Sequence, residues 1–146
     1  MSVGHVGTAI ARSLELHDVP RIFQVPGESF LPVLDGLYES SIDTVVCRQE
    51  GGACYMAEAH GKATGQPGVA MVTRGPGAAN AFVGIHTAWQ DATPLVLFVG
   101  WYPPATATAN PSRNSTSKRG SAPKQSAFMC LTTPPAPAAS SPKPSI

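Results

Sequence analysis

Acidic side chains stop at Asp91. Residues 101–146 carry five Lys and Arg and no Asp or Glu, whereas residues 1–100 carry five bases and nine acids. The two parts therefore do not share one design. The net charge of +1 gives no overall case for nucleic acid or a membrane surface as a partner. The three cysteines, Cys47, Cys54 and Cys130, follow no metal-ligand spacing. Their odd number, with no secretory signal in view, implies reduced thiols and a cytoplasmic protein. The start, Met1-Ser2-Val3-Gly4-His5, lacks a basic region followed by an apolar one, so no signal peptide is expected. No apolar run approaches the roughly 20 residues of a membrane span. Neither a P-loop nor the Gly-rich dinucleotide fingerprint is present, which argues against an ordinary nucleotide-binding domain.

What is present between residues 4 and 100 is an alternation of helical and strand-like patterns. Val6, Ile10 and Leu14 recur at helical spacing, and Arg21 to Val25 reads as a short strand closed by Pro26-Gly27. Phe30, Leu34, Leu37 and Tyr38 form the next helical stripe, with Pro32 tolerable in its first turn. Asp43 to Cys47 reads as strand, Glu50 to Thr64 as a helix ending at Gly65, and Gly68 to Thr73 as strand. Ala78, Ala81, Phe82, Ile85, Ala88 and Trp89 mark one face of another helix. Leu95 to Val99 is a fully apolar strand, as expected in a parallel sheet covered on both faces. The pattern predicts an α/β fold, an open parallel sheet with helices on both faces and right-handed crossovers. A length of 146 residues suits one domain rather than two. After Gly100 the periodicity ends. Residues 101–146 hold nine of the fifteen prolines, and this composition predicts a disordered basic tail rich in Pro, Ser and Ala.

Three loops follow the first three strands: Val25-Pro26-Gly27-Glu28-Ser29, Arg48-Gln49-Glu50-Gly51-Gly52-Ala53, and Thr73-Arg74-Gly75-Pro76-Gly77-Ala78-Ala79-Asn80. In a doubly wound sheet the carboxyl ends of the strands share one edge, so these loops would line one crevice. Glycines there let backbone approach a ligand, and the helix N-termini that follow offer free amide donors. Each loop alone is ordinary. Pro26-Gly27 is a turn, Gly75-Pro76-Gly77 is a turn, and Glu50 is an acid favoured by the dipole at a helix start. Glu50 between a buried strand and a helix is the best candidate for chemistry. Shielding from water there would favour a neutral, proton-sharing carboxyl. His60 and His86 lie in helices and are expected as core or surface residues.

Order and spacing together resemble the N-terminal pyrimidine-binding domain of thiamine-diphosphate enzymes of the acetolactate synthase-like family. The matching residues are the first and third loops, Glu50-Gly51-Gly52-Ala53 of the second, Met56-Ala57-Glu58-Ala59-His60-Gly61-Lys62-Ala63-Thr64-Gly65, Pro67-Gly68-Val69 and Asp91-Ala92-Thr93-Pro94-Leu95. The resemblance implies that Glu50 hydrogen-bonds the ring nitrogen N1′ of the cofactor's aminopyrimidine and relays a proton there. It also implies that Pro26 and Gly27, and then Thr73, Pro76 and Asn80, approach the pyrimidine. The activity implied is decarboxylation or ligation of a 2-keto acid, and Ser29 and Phe30 are placed to face substrate. No His-His pair stands in the first hundred residues, unlike the pyruvate decarboxylase branch. FAD is compatible with the family but nothing in this sequence indicates it.

In that family a separate domain, usually from a partner subunit, holds the diphosphate and its magnesium through a Gly-Asp-Gly motif and a later Asn. Nothing here matches that motif. A homodimer or a diphosphate-domain partner is therefore expected, with weak cofactor binding and no activity by the chain alone, and with no metal ligands in this chain. Residues 105–146, reverse-translated with favourable wobble choices and read one base out of register, give an amphipathic, acid-bearing string with no forced stop. That string resembles the segment following the matched region in the family. The expectation is residues 1–100 as a pyrimidine-binding domain incomplete at its C-terminal end, and 101–146 as an out-of-frame tail after a shift near Gly100-Trp101. The alternative is a natural basic tail, or a binding module completed by a separate diphosphate-binding chain.

Overall fold

The apolar pattern folds as four βα-type repeats in the computed structural model, which describes residues 5–101 and the backbone of residues 127–132. Helix α1 (Val6–Leu16) is followed by β1 (Arg21–Gln24), a single 3₁₀ turn (Glu28–Phe30) and α2 (Leu31–Leu37). Then come β2 (Asp43–Val46), α3 (Glu50–Thr64), β3 (Gly68–Val72), α4 (Pro76–Gln90) and β4 (Leu95–Trp101). The four strands are parallel, in the order β2-β1-β3-β4. A fifth strand, β5 (Ala127–Thr132), lies antiparallel to β4, with Trp101 opposite Ala127 and Val96 opposite Thr132. The expectation of an open parallel sheet thus holds for residues 21–101. At 127–132 a short edge strand forms, because β4 offers its backbone donors and acceptors to a partner. The remainder of the tail, like the expectation of a frameshift in it, lies outside the described residues.

The chain passes from β1 to β2 on one side and then to β3 on the other side of β1. The carboxyl ends of β1 and β3 therefore flank a topological switch point, the position at which open α/β sheets form a ligand crevice. Helices α1 and α2 cover one sheet face through Ala11, Leu14, Phe30, Val33 and Leu37, packed on Ile22, Val69 and Met71. Helices α3 and α4 cover the other through Ala53, Cys54, Ala57, Ala81 and Ala88, packed on Phe23, Ala70, Val72 and Leu97. Alternating side chains of one strand thus serve two cores, the period-2 rule applied to a sheet sandwiched between helices.

Helix α3 begins and ends where its residues dictate. The Gln49 side chain accepts from the Gly52 amide at 2.8 Å, capping the N-terminus, and Gly65 at φ 71° closes the C-terminus with its amide on the Gly61 carbonyl. Helix α4 departs from the expected stripe. Its buried positions are Gly77, Ala81, Gly84 and Ala88, while Phe82 and Trp89 are exposed. Small residues face inward because α3 lies so close: a Cβ on Gly84 would stand 2.6 Å from the Cys54 Sγ. The covering of β4 is also uneven, since Leu95, Leu97 and Val99 are buried on the α3/α4 side but Val96 and Phe98 are only half-buried on the other. No helix among the described residues is long and apolar enough to cross a membrane.

Candidate functional site

Strand β1 ends at Gln24, and the following residues, Val25 to Ser29, cross the carboxyl edge of the sheet. Gly27 lies against the loop after β3. A Cβ there would stand 2.6 Å from the Thr73 Cβ, so only glycine permits this approach of the two loops. A hydrogen bond of 2.8 Å between the Ser29 and Thr73 hydroxyls ties the same loops together beneath. The Arg74 guanidinium reaches the Glu28 carboxylate at 3.3 Å above. Gly75, at φ 63°, turns the chain into α4, whose first residue Pro76 has its φ fixed for a helix start.

Glu50 is the first residue of α3 and is half-buried. Its two carboxylate oxygens have different surroundings. The Asn80 side-chain amide donates to Oε2 at 3.0 Å. The other oxygen, Oε1, lies over Gly77, where a Cβ would stand 3.3 Å from it and 2.8 Å from the Thr73 Cγ2. The carboxylate thus bridges the starts of α3 and α4, with one oxygen held and the other beside glycine and the Thr73 methyl. A flat heteroaromatic ring can approach a bare glycine where a branched side chain would block it, and a carboxyl oxygen there can share a proton with a ring nitrogen. On that ground the residues present fit an aminopyrimidine.

The sequence expectations fare unevenly. Gly27, Thr73 and Pro76 line a single cavity of about 480 Å³, together with Glu28, Arg74, Gly75 and Trp101. Glu50 and Asn80 are joined to each other and, through Gly77, to the Thr73 side of the crevice, but do not line that cavity. Pro26 is exposed at its rim loop and shares in neither set. The expected shielding of Glu50 is corrected to half-burial, since it sits at the exposed start of α3, with Asn80 and Gly77 of α4 beside it. Ser29 and Phe30, expected to face substrate, are buried at 0% and 1% exposure, because the 3₁₀ turn directs them into the sheet. His60 is half-buried with its ring tilted against Phe23, and His86 stacks on exposed Phe82, so neither joins the site. Sequence reasoning missed Trp101, Gly77 and the Glu28–Arg74 pair. Trp101 was findable in principle, since it ends a strand whose carboxyl end shares the same edge.

A larger cavity of about 780 Å³ opens at the opposite edge, where His17, Pro20, His60, Pro67, Val96 and Phe98 contribute to its wall. Size does not make it the better site. It lies at the amino ends of the strands, away from the three loops, under the half-covered face of β4.

The description "Thiamine pyrophosphate enzyme, N-terminal TPP binding domain" belongs to the family model that matches residues 4–122. The chain is 42% identical over 103 residues to the mitochondrial acetolactate synthase catalytic subunit of Aspergillus candidus, covering 69% of this chain and 15% of that protein. It is 44% identical over 92 residues to the acetolactate synthase isozyme 3 large subunit of Escherichia coli K12, covering 62% of this chain and 16% of that one. A probable acetolactate synthase large subunit of Methanocaldococcus jannaschii is 39% identical over 95 residues, covering 65% of this chain and 16% of its own length. The chain therefore spans about one sixth of the length of these relatives. With loops, switch point and carboxylate placed as described, and a family model covering most of its length, the chain belongs to the thiamine pyrophosphate enzymes, through their N-terminal TPP-binding domain.

Proposed function

We propose that this chain grips the aminopyrimidine half of thiamine diphosphate through Glu50, and serves an acetolactate synthase-like reaction on 2-keto acids only with a second, diphosphate-holding domain or chain. The observation that carries the reading is the disposition of Glu50, one oxygen tied to Asn80 and the other beside Gly77 and Thr73 at the switch-point crevice. When bound, thiamine diphosphate supplies the electron sink for breaking or forming a carbon–carbon bond next to a carbonyl. The chain's own part is to hold and move a proton at Oε1 of Glu50, to admit the ring over Gly27 and Gly77, and to keep the two glycine loops together through Ser29 and Thr73.

One exposed surface supports a covering domain. Tyr55, Met56, Phe82 and Val83 are exposed one turn beyond the starts of α3 and α4, and an apolar surface near an open site suits a covering domain. The partner would also bring the magnesium, a hard cation that takes oxygen ligands and phosphates.

Calorimetric titration of the full chain with thiamine diphosphate and magnesium, with and without a diphosphate-binding domain of an acetolactate synthase, tests the reading. Expected are weak binding by the chain alone, tighter binding with the partner, and loss of that gain in Glu50→Gln. Absence of binding in the presence of the partner, or equal binding by Glu50→Gln, would refute it.

A further inference from the structure

Asn80 stands at the start of the second turn of α4, is itself exposed, and makes its hydrogen bond across to the first residue of α3. An exposed amide–carboxylate bond contributes little to stability, because water offers both groups the same bonds when it breaks. Its effect falls instead on direction. The Glu50 side chain has three rotatable bonds and is only half-buried, so packing alone leaves its carboxylate free to choose between rotamers. The Asn80 Nδ2–H selects the rotamer in which Oε2 points to α4. The planar carboxylate then presents Oε1 over Gly77, toward the Thr73 wall of the crevice.

The chemistry of the donor matters as much as its place. A lysine or arginine at position 80 would also hold the carboxylate, but by pairing a full charge with it and competing for the proton that a proton-sharing group must exchange. A carboxamide orients and leaves the charge balance alone. The division of labour is therefore one oxygen anchored by a neutral donor and one left open by a residue without a side chain.

We propose that Asn80 is a positioning residue acting through Glu50, fixing the carboxylate by its Oε2 so that Oε1 faces the crevice, rather than a direct contact of the pyrimidine. This rests on the reading of Glu50 given above, and the experiment separates the two.

Three variants of the full chain serve. Asn80→Leu keeps the shape of the side chain and removes the donor, Asn80→His keeps a ring N–H the same number of bonds from the backbone, and Glu50→Gln removes the carboxylate. In the ligand-free chain, carbon relaxation of the Glu50 side chain should show wider motion in Asn80→Leu and recovery in Asn80→His, with the thermal midpoint unchanged in both. An equally ordered Glu50 in Asn80→Leu would overturn the proposal, whatever the cofactor does. With thiamine diphosphate, magnesium and the diphosphate-binding domain present, deuterium exchange of the proton on the thiazolium carbon between nitrogen and sulfur should slow roughly tenfold in Asn80→Leu, the scale of one hydrogen bond to a charged group, with the calorimetric Kd changed less than about twofold. Slow exchange in Glu50→Gln with wild-type exchange in Asn80→Leu would uphold Glu50 and sink the role of Asn80. Wild-type exchange in Glu50→Gln would sink the reading of Glu50, and the ligand-free measurement would still judge Asn80.

Discussion

Cys54 is fully buried where α3 crosses the bare backbone of Gly84. Burial, and then the nearby Glu58 carboxylate, push its thiol from 9.0 up to about 11. The folded state thus holds the proton more tightly than the unfolded chain does. Stability from this source is complete below pH 9.0 and falls as pH rises toward about 11. Urea midpoints should decline through that window, and less so in Cys54→Ala. Lys62, raised above 10.5 mainly by its bond to Asp91, adds a second loss at the upper end of the same range. At neutral pH Cys54 should resist alkylation until the chain unfolds, a result read by mass spectrometry with and without denaturant. At this scale the sequence was legible where a residue type has one good use at its place. Gly65 is such a residue, closing α3 at φ 71°, as its place after Thr64 announced. Ser29 is not, because a hydroxyl serves a crevice or a buried bond equally well, and only the 3₁₀ turn decides that it meets Thr73.

The elements are joined by close backbone approaches and, at one helix-to-strand turn, by a buried polar clamp. The clamp fixes the turn between α4 and β4, where Ala92 has φ 52°. The Thr93 hydroxyl donates to the buried Glu58 carboxylate at 3.1 Å, and Lys62 spans Glu58 and Asp91. Thr93→Val keeps the volume and leaves a buried acceptor short of a donor, so chemical denaturation should show a loss of about 1–3 kcal/mol. The strand–helix contact at Gly68 is tighter still, with a Cβ there only 1.8 Å from the Ala57 carbonyl oxygen. Gly68→Ala should cost about 3 kcal/mol or more, since helix α3 must move away from β3. The boundaries of α3 were readable from Glu50, an acid favoured at a helix start, and from Gly65 after its last turn. The inward face of α4 was not, because periodicity ranks residues by hydrophobicity, whereas a close helix pair selects for small volume. Phe82 and Trp89 fit the stripe and are nonetheless outside it, displaced by Gly77, Ala81, Gly84 and Ala88.

Across the whole molecule the two outer strands of the parallel core differ: among the described residues β4 has a partner on its outer side, in β5, and β2 has none. Strand β5 covers the edge of β4, a pairing that local pattern could not announce, since the apolar run at 127–132 sits in proline-rich surroundings and its partner lies some thirty residues earlier. The parallel core, by contrast, followed from the strand and helix alternation, whereas the strand order that creates its switch point did not. At the other edge β2 is only four residues long and Val46 is exposed, a small unpaired surface of the kind that recruits further strands. Val46→Lys should reduce self-association of the full chain in light scattering without lowering its thermal midpoint. Both tryptophans, Trp89 and Trp101, are more than half exposed, and Trp101 shares its cavity with Gly27, Thr73 and Pro76. Intrinsic fluorescence will accordingly report little of unfolding, because both indoles already emit from water in the native state. It will report what enters the crevice, since an aromatic guest arriving beside Trp101 quenches that emission and leaves Trp89 as an internal reference.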